Sequence, residues 1–436
     1  MSSIALRIKA LFMRFEPAES LNLSSSSVRR VLLYALSAFL GGIVVVASVS
    51  AWNYFDITLR QASPVSAITE SRAEVSSDFK KPLGDIEWSF DTEEAIDVPP
   101  IARGGLAFIV AGRRIDTGRI IALDISSGQP VWTYRLDGVS DYPVTLAGDS
   151  LYAVTRDGRV VALESQSGQE VWSYTTGDLL LGRPIVRDGV LFAASDGIHA
   201  LDALTGEPLW IHQTEGSRTT SPLAYSQGII AVLSEGTHLN LIDAVKGKRR
   251  LTTRFWFGGT DMPVIFEDRV IVSGDRGSIQ TVNLHARDIP MEKALRFWWT
   301  KLWLYKSAPR PPDPVGYSWH HRGVGGLSAH VVASGDGRLF LTAKHPDHSA
   351  RVIAIDAEYG DVLWQFQSQT LVAEGVTLAG DTLVVGTHAG EVYGLNAESG
   401  EITWNLPLDF RVSAVTVTPG DALLVASETG TVHKVR

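Results

Sequence analysis

Apolar and polar positions follow two regimes along this chain. From Val31 to Phe55 run 25 residues without a charge, VLLYALSAFLGGIVVVASVSAWNYF. About 20 apolar residues are enough for a helix to span a bilayer. Trp52, Tyr54 and Phe55 close the run, where aromatic rings favour a membrane–water interface. The stretch predicts a transmembrane helix over 31–55, followed by a polar, aperiodic linker over 56–85. Beyond the linker the pattern alternates with a period of two in short runs such as Val190–Ser195 (VLFAAS) and Thr382–Thr387 (TLVVGT). Turn residues enter these runs, Arg187-Asp188-Gly189 before the first and Ala379-Gly380-Asp381 before the second. Alternation bounded by such turns predicts short antiparallel strands.

The strands recur as one unit. Ala122, Asp124, Gly128 and Trp132 set a pattern A-x-D-x-x-x-G-x-x-x-W. Ala200, Asp202, Gly206 and Trp210 repeat it, as do Ala354, Asp356, Gly360 and Trp364. Ala162, Glu164, Gly168 and Trp172 replace Asp by Glu, and Gly394, Asn396, Gly400 and Trp404 replace it by Asn. A degenerate copy has Asp243 and Gly247, with Leu251 in the Trp place. Trp88 and Trp319 lack the full pattern but precede the same turn-and-strand signal. The anchors at 88, 132, 172, 210, 251, 319, 364 and 404 are 38–45 residues apart except for one interval of 68. A four-stranded unit of about 40 residues repeated radially is a β-propeller. The fold class predicted is therefore all-β, an eight-bladed propeller over 86–436 with one N-terminal transmembrane helix and a helical insertion in one blade. In each unit the Gly permits a positive φ in a tight turn. The Asp or Asn accepts local backbone hydrogen bonds. The Trp fills the space between blades and offers its N–H to a neighbouring carbonyl. The last strand, Gly430–Arg436, lacks a Trp strand and Ile86–Phe90 lacks a preceding partner, so pairing the two ends completes a blade and removes an open edge.

Charge and composition narrow the context. The chain of 436 residues carries a net charge of −9, which argues against a general nucleic-acid binder. It has no cysteine, so disulfides, thiolate metal sites and a lipid-modified N-terminal cysteine are excluded. Residues 1–30 hold five basic against two acidic residues, a net of +3, which by the positive-inside rule places them in the cytoplasm and the propeller outside it. A cleaved signal peptide ending at Val49-Ser50-Ala51 is the competing reading; the 30-residue basic region and the length of the run favour the uncleaved span.

The recurring A-x-D-x-x-x-G-x-x-x-W motif resembles the tryptophan-docking motif of the quinoprotein (PQQ-type) eight-bladed propellers, over about residues 86–436. That resemblance implies one of two branches, the PQQ-dependent dehydrogenases or the non-enzymatic BamB-type proteins. The dehydrogenases bring PQQ, calcium and, in the alcohol dehydrogenases, a vicinal disulfide that a cysteine-free chain cannot form. The BamB-type branch brings a lipid-bearing cysteine, also missing here.

The 68-residue interval contains an insertion over 288–318, DIPMEKALRFWWTKLWLYKSAPRPPDPVGYS. At 100° per residue Met291, Ala294, Leu295, Trp298, Leu302 and Tyr305 share one face of a predicted helix of about four turns. Trp299, Trp303, Lys301 and Lys306 complete the set of candidate residues for contact with a partner or a membrane surface, since lysines flanking tryptophans can snorkel to headgroups. The competing reading is that the Trp face caps the propeller's own wall. Neither His320-His321 nor His345-Pro346-Asp347-His348 has the spacing of a supported metal site. No nucleophile-elbow, zincin or P-loop motif occurs.

The function expected is a membrane-anchored periplasmic scaffold, single-pass in the inner membrane, supporting an envelope or membrane protein complex. It is expected to be no enzyme and to need no cofactor. Its expected partners are the membrane and integral-membrane or envelope proteins. The alternatives are a small PQQ-dependent oxidoreductase using PQQ and calcium, or a ligand-sensing propeller.

Overall fold

A computed structural model describes Phe79 and residues 81–436, apart from 113–117, 214–217, 236, 256–261, 275–277, 290, 312, 314, 322–327, 336, 345–346, 374, 419 and 421. Two compact units make up the chain. One comprises Met1–Gln61 with Ile289–Trp298, the other Ala62–Asp288 with Trp299–Arg436.

The second unit holds eight antiparallel sheets of four strands. In chain order they are blade 1 (101–136), blade 2 (145–175), blade 3 (185–213), blade 4 (224–254), blade 5 (264–321), blade 6 (328–368), blade 7 (377–407) and blade 8 (412–435 with 86–91). In blades 1–7 the strands pair in sequence order, so each blade is a meander. The short first strands of adjacent blades approach one another and form the inner wall. The fourth strands are the outer edge and alternate between exposed and half-buried positions, as in Glu170–Thr175.

The period-two pattern sends successive side chains of the middle strands to opposite neighbours. Phe108 and Val110 pack toward blade 2 with Leu146, Leu151 and Leu163. Ala107 and Ile109 pack the other way, against Ala414, Leu424 and Val432 of blade 8. Eight apolar clusters arise in this way, one for each junction between blades. Burying a side chain such as Phe108 contributes about 2–3 kcal/mol. The core is thus spread over eight interfaces rather than gathered at one centre.

The two ends of the propeller meet in blade 8. Ile86–Asp91 pairs antiparallel with Thr431–Val435. Gly84 donates its N–H to the Arg436 carbonyl at 2.8 Å and Arg436 donates to the Asp85 carbonyl at 3.0 Å.

The one helix among the described residues is Glu292–Leu304, of 13 residues. At 1.5 Å per residue it is about 20 Å long, short of the ~30 Å hydrocarbon core of a bilayer. Among the described residues no helix is long and apolar enough to cross a membrane. The expected span over 31–55 lies outside the described residues. The fold class is corrected accordingly to an all-β, eight-bladed propeller with one helical insertion. The single-pass topology, with a cytoplasmic N-terminus and a periplasmic propeller, is not supported.

Candidate functional site

Antiparallel order puts two kinds of connection at opposite ends of every blade. The first-to-second and third-to-fourth hairpins lie at one end, here called the turn face. The second-to-third loops and the connections between blades lie at the other, the loop face.

The turn face is where the repeat residues meet. Trp132 of blade 1 donates Nε1–H to the Ser165 carbonyl of blade 2 at 3.0 Å. Its ring lies on Gly168, whose φ is +71° and where an added Cβ would stand 2.5 Å from the ring. The same contact joins Trp88 to Ile125 and Gly128, Trp172 to Ala203 and Gly206, Trp210 to Ala244 and Gly247, and Trp364 to Ala397 and Gly400. The acidic residue of each turn is spent on the turn itself. Asp124 Oδ1 accepts from Ser126 and Ser127, and hydroxyl donation by Ser126, then the Ser127 amide, holds its pKa down to about 2. Asp202, Asp356 and Asn396 accept the same pair of amides.

Three junctions depart from this geometry. Trp319 lies on Gly360, but its Nε1 has no partner, because Arg269 Nη1 already donates to the Ala357 carbonyl at 3.1 Å. Trp404 turns onto Gly394 of its own blade, where any Cβ would stand 2.1 Å from the ring, and Phe79 packs against it at 6.2 Å. This explains why Gly replaces the motif Ala at 394. Leu251 of blade 4 faces the turn of blade 5, which is the turn the insertion opens. Asn283 N–H to Gly316 O at 2.7 Å matches Asp124 N–H to Gln129 O at 2.9 Å, so the insertion lies between 283 and 316. Leu251 is buried against Leu284, Val282 and Ala286, in the space a docking ring would need.

The sequence pattern left one turn glycine unmarked. Gly84 precedes Trp88 by four residues, the motif spacing, and its φ is +92°. Gly84 donates to the Arg436 carbonyl as Gly128 donates to Asp124, and Arg436 donates to the Asp85 carbonyl as Asp124 donates to Gln129. The eighth turn is therefore assembled from both ends of the propeller.

The insertion helix carries the remaining candidate residues. Met291, Leu295, Trp298, Leu302, Trp303 and Tyr305 are exposed. Trp299 is half-buried and donates Nε1–H to the Pro309 carbonyl at 2.9 Å. Lys306 follows the helix with φ +57° and donates its N–H to the Trp303 carbonyl, and Lys301 falls in the last helical turn.

The loop face holds a cavity of about 530 Å³, lined by Asp97, Gly138, Val139, Asp141, Arg156, Asp157 and Leu179. They come from connections entering blades 1, 2 and 3 and from the second-to-third loop of blade 2. Backbone bonds fix these loops to each other. Arg156 N–H donates to the Val139 carbonyl at 2.7 Å and Leu180 N–H to the Arg156 carbonyl at 3.3 Å. Arg156 also pairs with Asp141 at 2.8 Å. Gly138, at φ +137°, lets the Asp157 carboxylate approach where a Cβ would stand 2.8 Å from Oδ1. Sequence reasoning did not find this cavity, since its residues share no spacing. Elsewhere on this face Arg218 bridges Asp178 and Asp196, and Glu428 accepts from Arg411 and pairs with His388.

The resemblance raises PQQ and calcium, and the donor set here does not fit them. Among the described residues no three His, Cys, Asp or Glu side chains stand close enough to hold a metal ion. Asp141 in the cavity is already paired with Arg156, and the chain has no cysteine for a vicinal disulfide.

Eight four-stranded blades, five of them joined to the next by a full tryptophan dock, define a PQQ-like propeller. The family model described as outer membrane protein assembly factor BamB matches residues 71–198, 116–220, 194–289 and 348–435, and the chain belongs to that family. A search of curated proteins finds no match. Among solved structures, quinohemoprotein alcohol dehydrogenase from Comamonas testosteroni is 15% identical with a TM-score of 0.61, covering 84% of this chain and 78% of that one. A europium-containing methanol dehydrogenase is 13% identical with a TM-score of 0.56, covering 82% and 86%. BamB from Moraxella catarrhalis is 18% identical with a TM-score of 0.42, covering 85% and 98%. A BamB-type propeller fold suggests roles in protein–protein interaction. The expected membrane-anchored scaffold is corrected, because no described helix crosses a membrane. The two dehydrogenase structures share the eight-bladed fold of this chain.

Proposed function

We propose that this protein is a ligand-binding propeller that takes a small basic ligand in the loop-face cavity. The observation that carries the reading is the cavity itself, about 530 Å³, within the range of small-molecule sites, where connections of three blades converge. The lining holds three carboxylates, Asp97, Asp141 and Asp157, and one cation, Arg156, so it carries a net charge of −2 and favours an amine. Val139 and Leu179 supply the apolar wall. On this reading the domain binds rather than catalyses, and the turn face holds the ring while the loop face recognises. The test is a calorimetric titration with spermidine. We expect saturable binding that weakens about tenfold or more in Asp157→Asn, since each lost charge contact is worth 1.4 kcal/mol or more. Absence of heat in the wild type rejects the reading. Dye reduction with added PQQ and calcium instead establishes the dehydrogenase alternative.

A second reading follows from the family model, whose description names an assembly factor of outer membrane proteins. Here the loop face meets an envelope protein. A photo-crosslinker at Val139 then captures such a partner, whereas one at Leu204, exposed on the turn face, does not.

A further inference from the structure

The residue before a docking tryptophan stands on the outer strand of its blade, where Val131, Val171, Leu209 and Leu363 are exposed. Blade 4 has Arg250 at this place, and here the outer edge is covered. Asp288 donates its N–H to the Arg250 carbonyl at 2.8 Å. Its Oδ1 accepts from Thr252 N–H at 3.3 Å, and its Oδ2 pairs with Arg249 at 3.6 Å. Under this cover Arg250 is half-buried.

The Arg250 guanidinium has no counter-charge of its own. Its Nε is closed off from solvent and has no hydrogen-bond partner. Burial, and next the like charge of Arg287, lower its pKa from the ordinary value, and Asp243 opposes them least. Both neighbouring carboxylates are engaged elsewhere. Asp243 Oδ1 accepts from the amides of Val245 and Lys246, and Asp288 holds Thr252 and Arg249. Residues 243–254 with 287–288 hold six basic against two acidic side chains, a net of +4 in a chain of net charge −9. A cation taken out of water without an acceptor is costly, and an anion from outside the chain relieves that cost.

We propose that Arg250 and Arg287, at the base of the insertion, form a binding site for a phosphate group. A guanidinium presents parallel N–H donors that match the oxygens of a phosphate, and a second one beside it favours a dianion over a carboxylate or a halide. The blade repeat gives no reason for an arginine at this position. The insertion brings Arg287 beside it and screens both from water, so the site exists only in the blade that carries the insertion. The inference does not rest on the loop-face ligand, which is of opposite charge.

The test uses the full chain. Thermal unfolding is followed in inorganic phosphate and in sodium chloride of matched ionic strength. The midpoint is expected to rise in phosphate and to saturate with its concentration. Arg250→Gln leaves no charge to bury. It is expected to be as stable as the wild type in chloride and to lose the phosphate shift. Arg287→Gln is expected to weaken the apparent affinity about tenfold. Flotation with vesicles of phosphatidylcholine, with and without phosphatidic acid, separates the two sources of phosphate. A shift in free phosphate assigns the site to a soluble ligand. Binding that needs both phosphatidic acid and Arg250, without that shift, assigns it to a lipid headgroup. A phosphate shift that persists in Arg250→Gln overturns the proposal and leaves the arginine a structural part of the blade. Should that variant fail to fold, undiminished affinity in Arg287→Gln overturns it. So does a wild type that responds to neither probe.

Discussion

Gly168 sets the scale of a single docking residue. Its φ of +71° disfavours any L side chain, and a Cβ would also enter the Trp132 ring at 2.5 Å. Gly168→Ala is expected to destabilise the protein by about 3 kcal/mol in urea unfolding. Gly228 has a similar φ of +73° with nothing near its Cβ position, so Gly228→Ala is expected to cost only about 1 kcal/mol of backbone strain. Equal losses would mean that the ring contact contributes nothing. The tryptophans divide likewise. Trp132→Phe strands the Ser165 carbonyl, whereas Trp319→Phe loses no hydrogen bond, because Arg269 serves Ala357. The first is expected to cost about 1 kcal/mol more than the second. The Gly and Trp positions were legible in the sequence because a positive φ and a large inter-blade volume each demand one residue type. The fate of the Trp319 N–H was not, because it depends on an arginine 88 positions from the carbonyl it fills.

At the scale of elements, the insertion and Leu251 are one event. The helix was legible from its 3.6-residue periodicity, and its observed bounds, Glu292–Leu304, fall within the expected face. What the sequence could not show is that opening the blade 5 turn removes the platform on which a blade 4 tryptophan would rest. Gly316, which follows the insertion, has its Cβ position 2.5 Å from Ala286 and 3.6 Å from Leu251 Cδ2. Leu251→Trp restores the repeat consensus, yet it is expected to destabilise by about 1–3 kcal/mol through overpacking, as read by thermal unfolding. A gain in stability would show that the docking space survives beside the insertion. The loop-face cavity lay beyond sequence reading for a related reason. Asp97, Asp141 and Asp157 meet only because connections of successive blades converge, and nothing in their spacing marks them.

The whole molecule is a ring, and closure depends on its two ends. Strand pairing of the ends was legible from the missing partners, but the split turn was not, because Gly84 and Arg436 lie at opposite ends of the propeller. The uncharged run over 31–55 was legible as apolar, while the topology drawn from it is not supported. Glu87 braces the closure through Lys434 at 2.7 Å and Arg436 at 3.4 Å. The hydrogen bond from Lys434, with the charges of Lys434 and Arg436, holds its carboxyl below the ordinary value of 4.5. A carboxylate lowered by folding adds stability above pH 4.5 and loses it as the pH falls below. The stability difference between the wild type and Glu87→Gln is thus expected to be greatest above pH 4.5 and to close on acidification, in denaturant titrations across that range. A difference independent of pH would remove Glu87 from the closure.

The division of labour between the two faces is most directly tested by amide hydrogen exchange with and without spermidine. The account predicts slower exchange confined to the loop-face amides around Val139, Arg156 and Leu180, with the docking turns at Gly128, Gly168 and Gly206 unchanged. Protection at the turns, or none at the cavity, would contradict it.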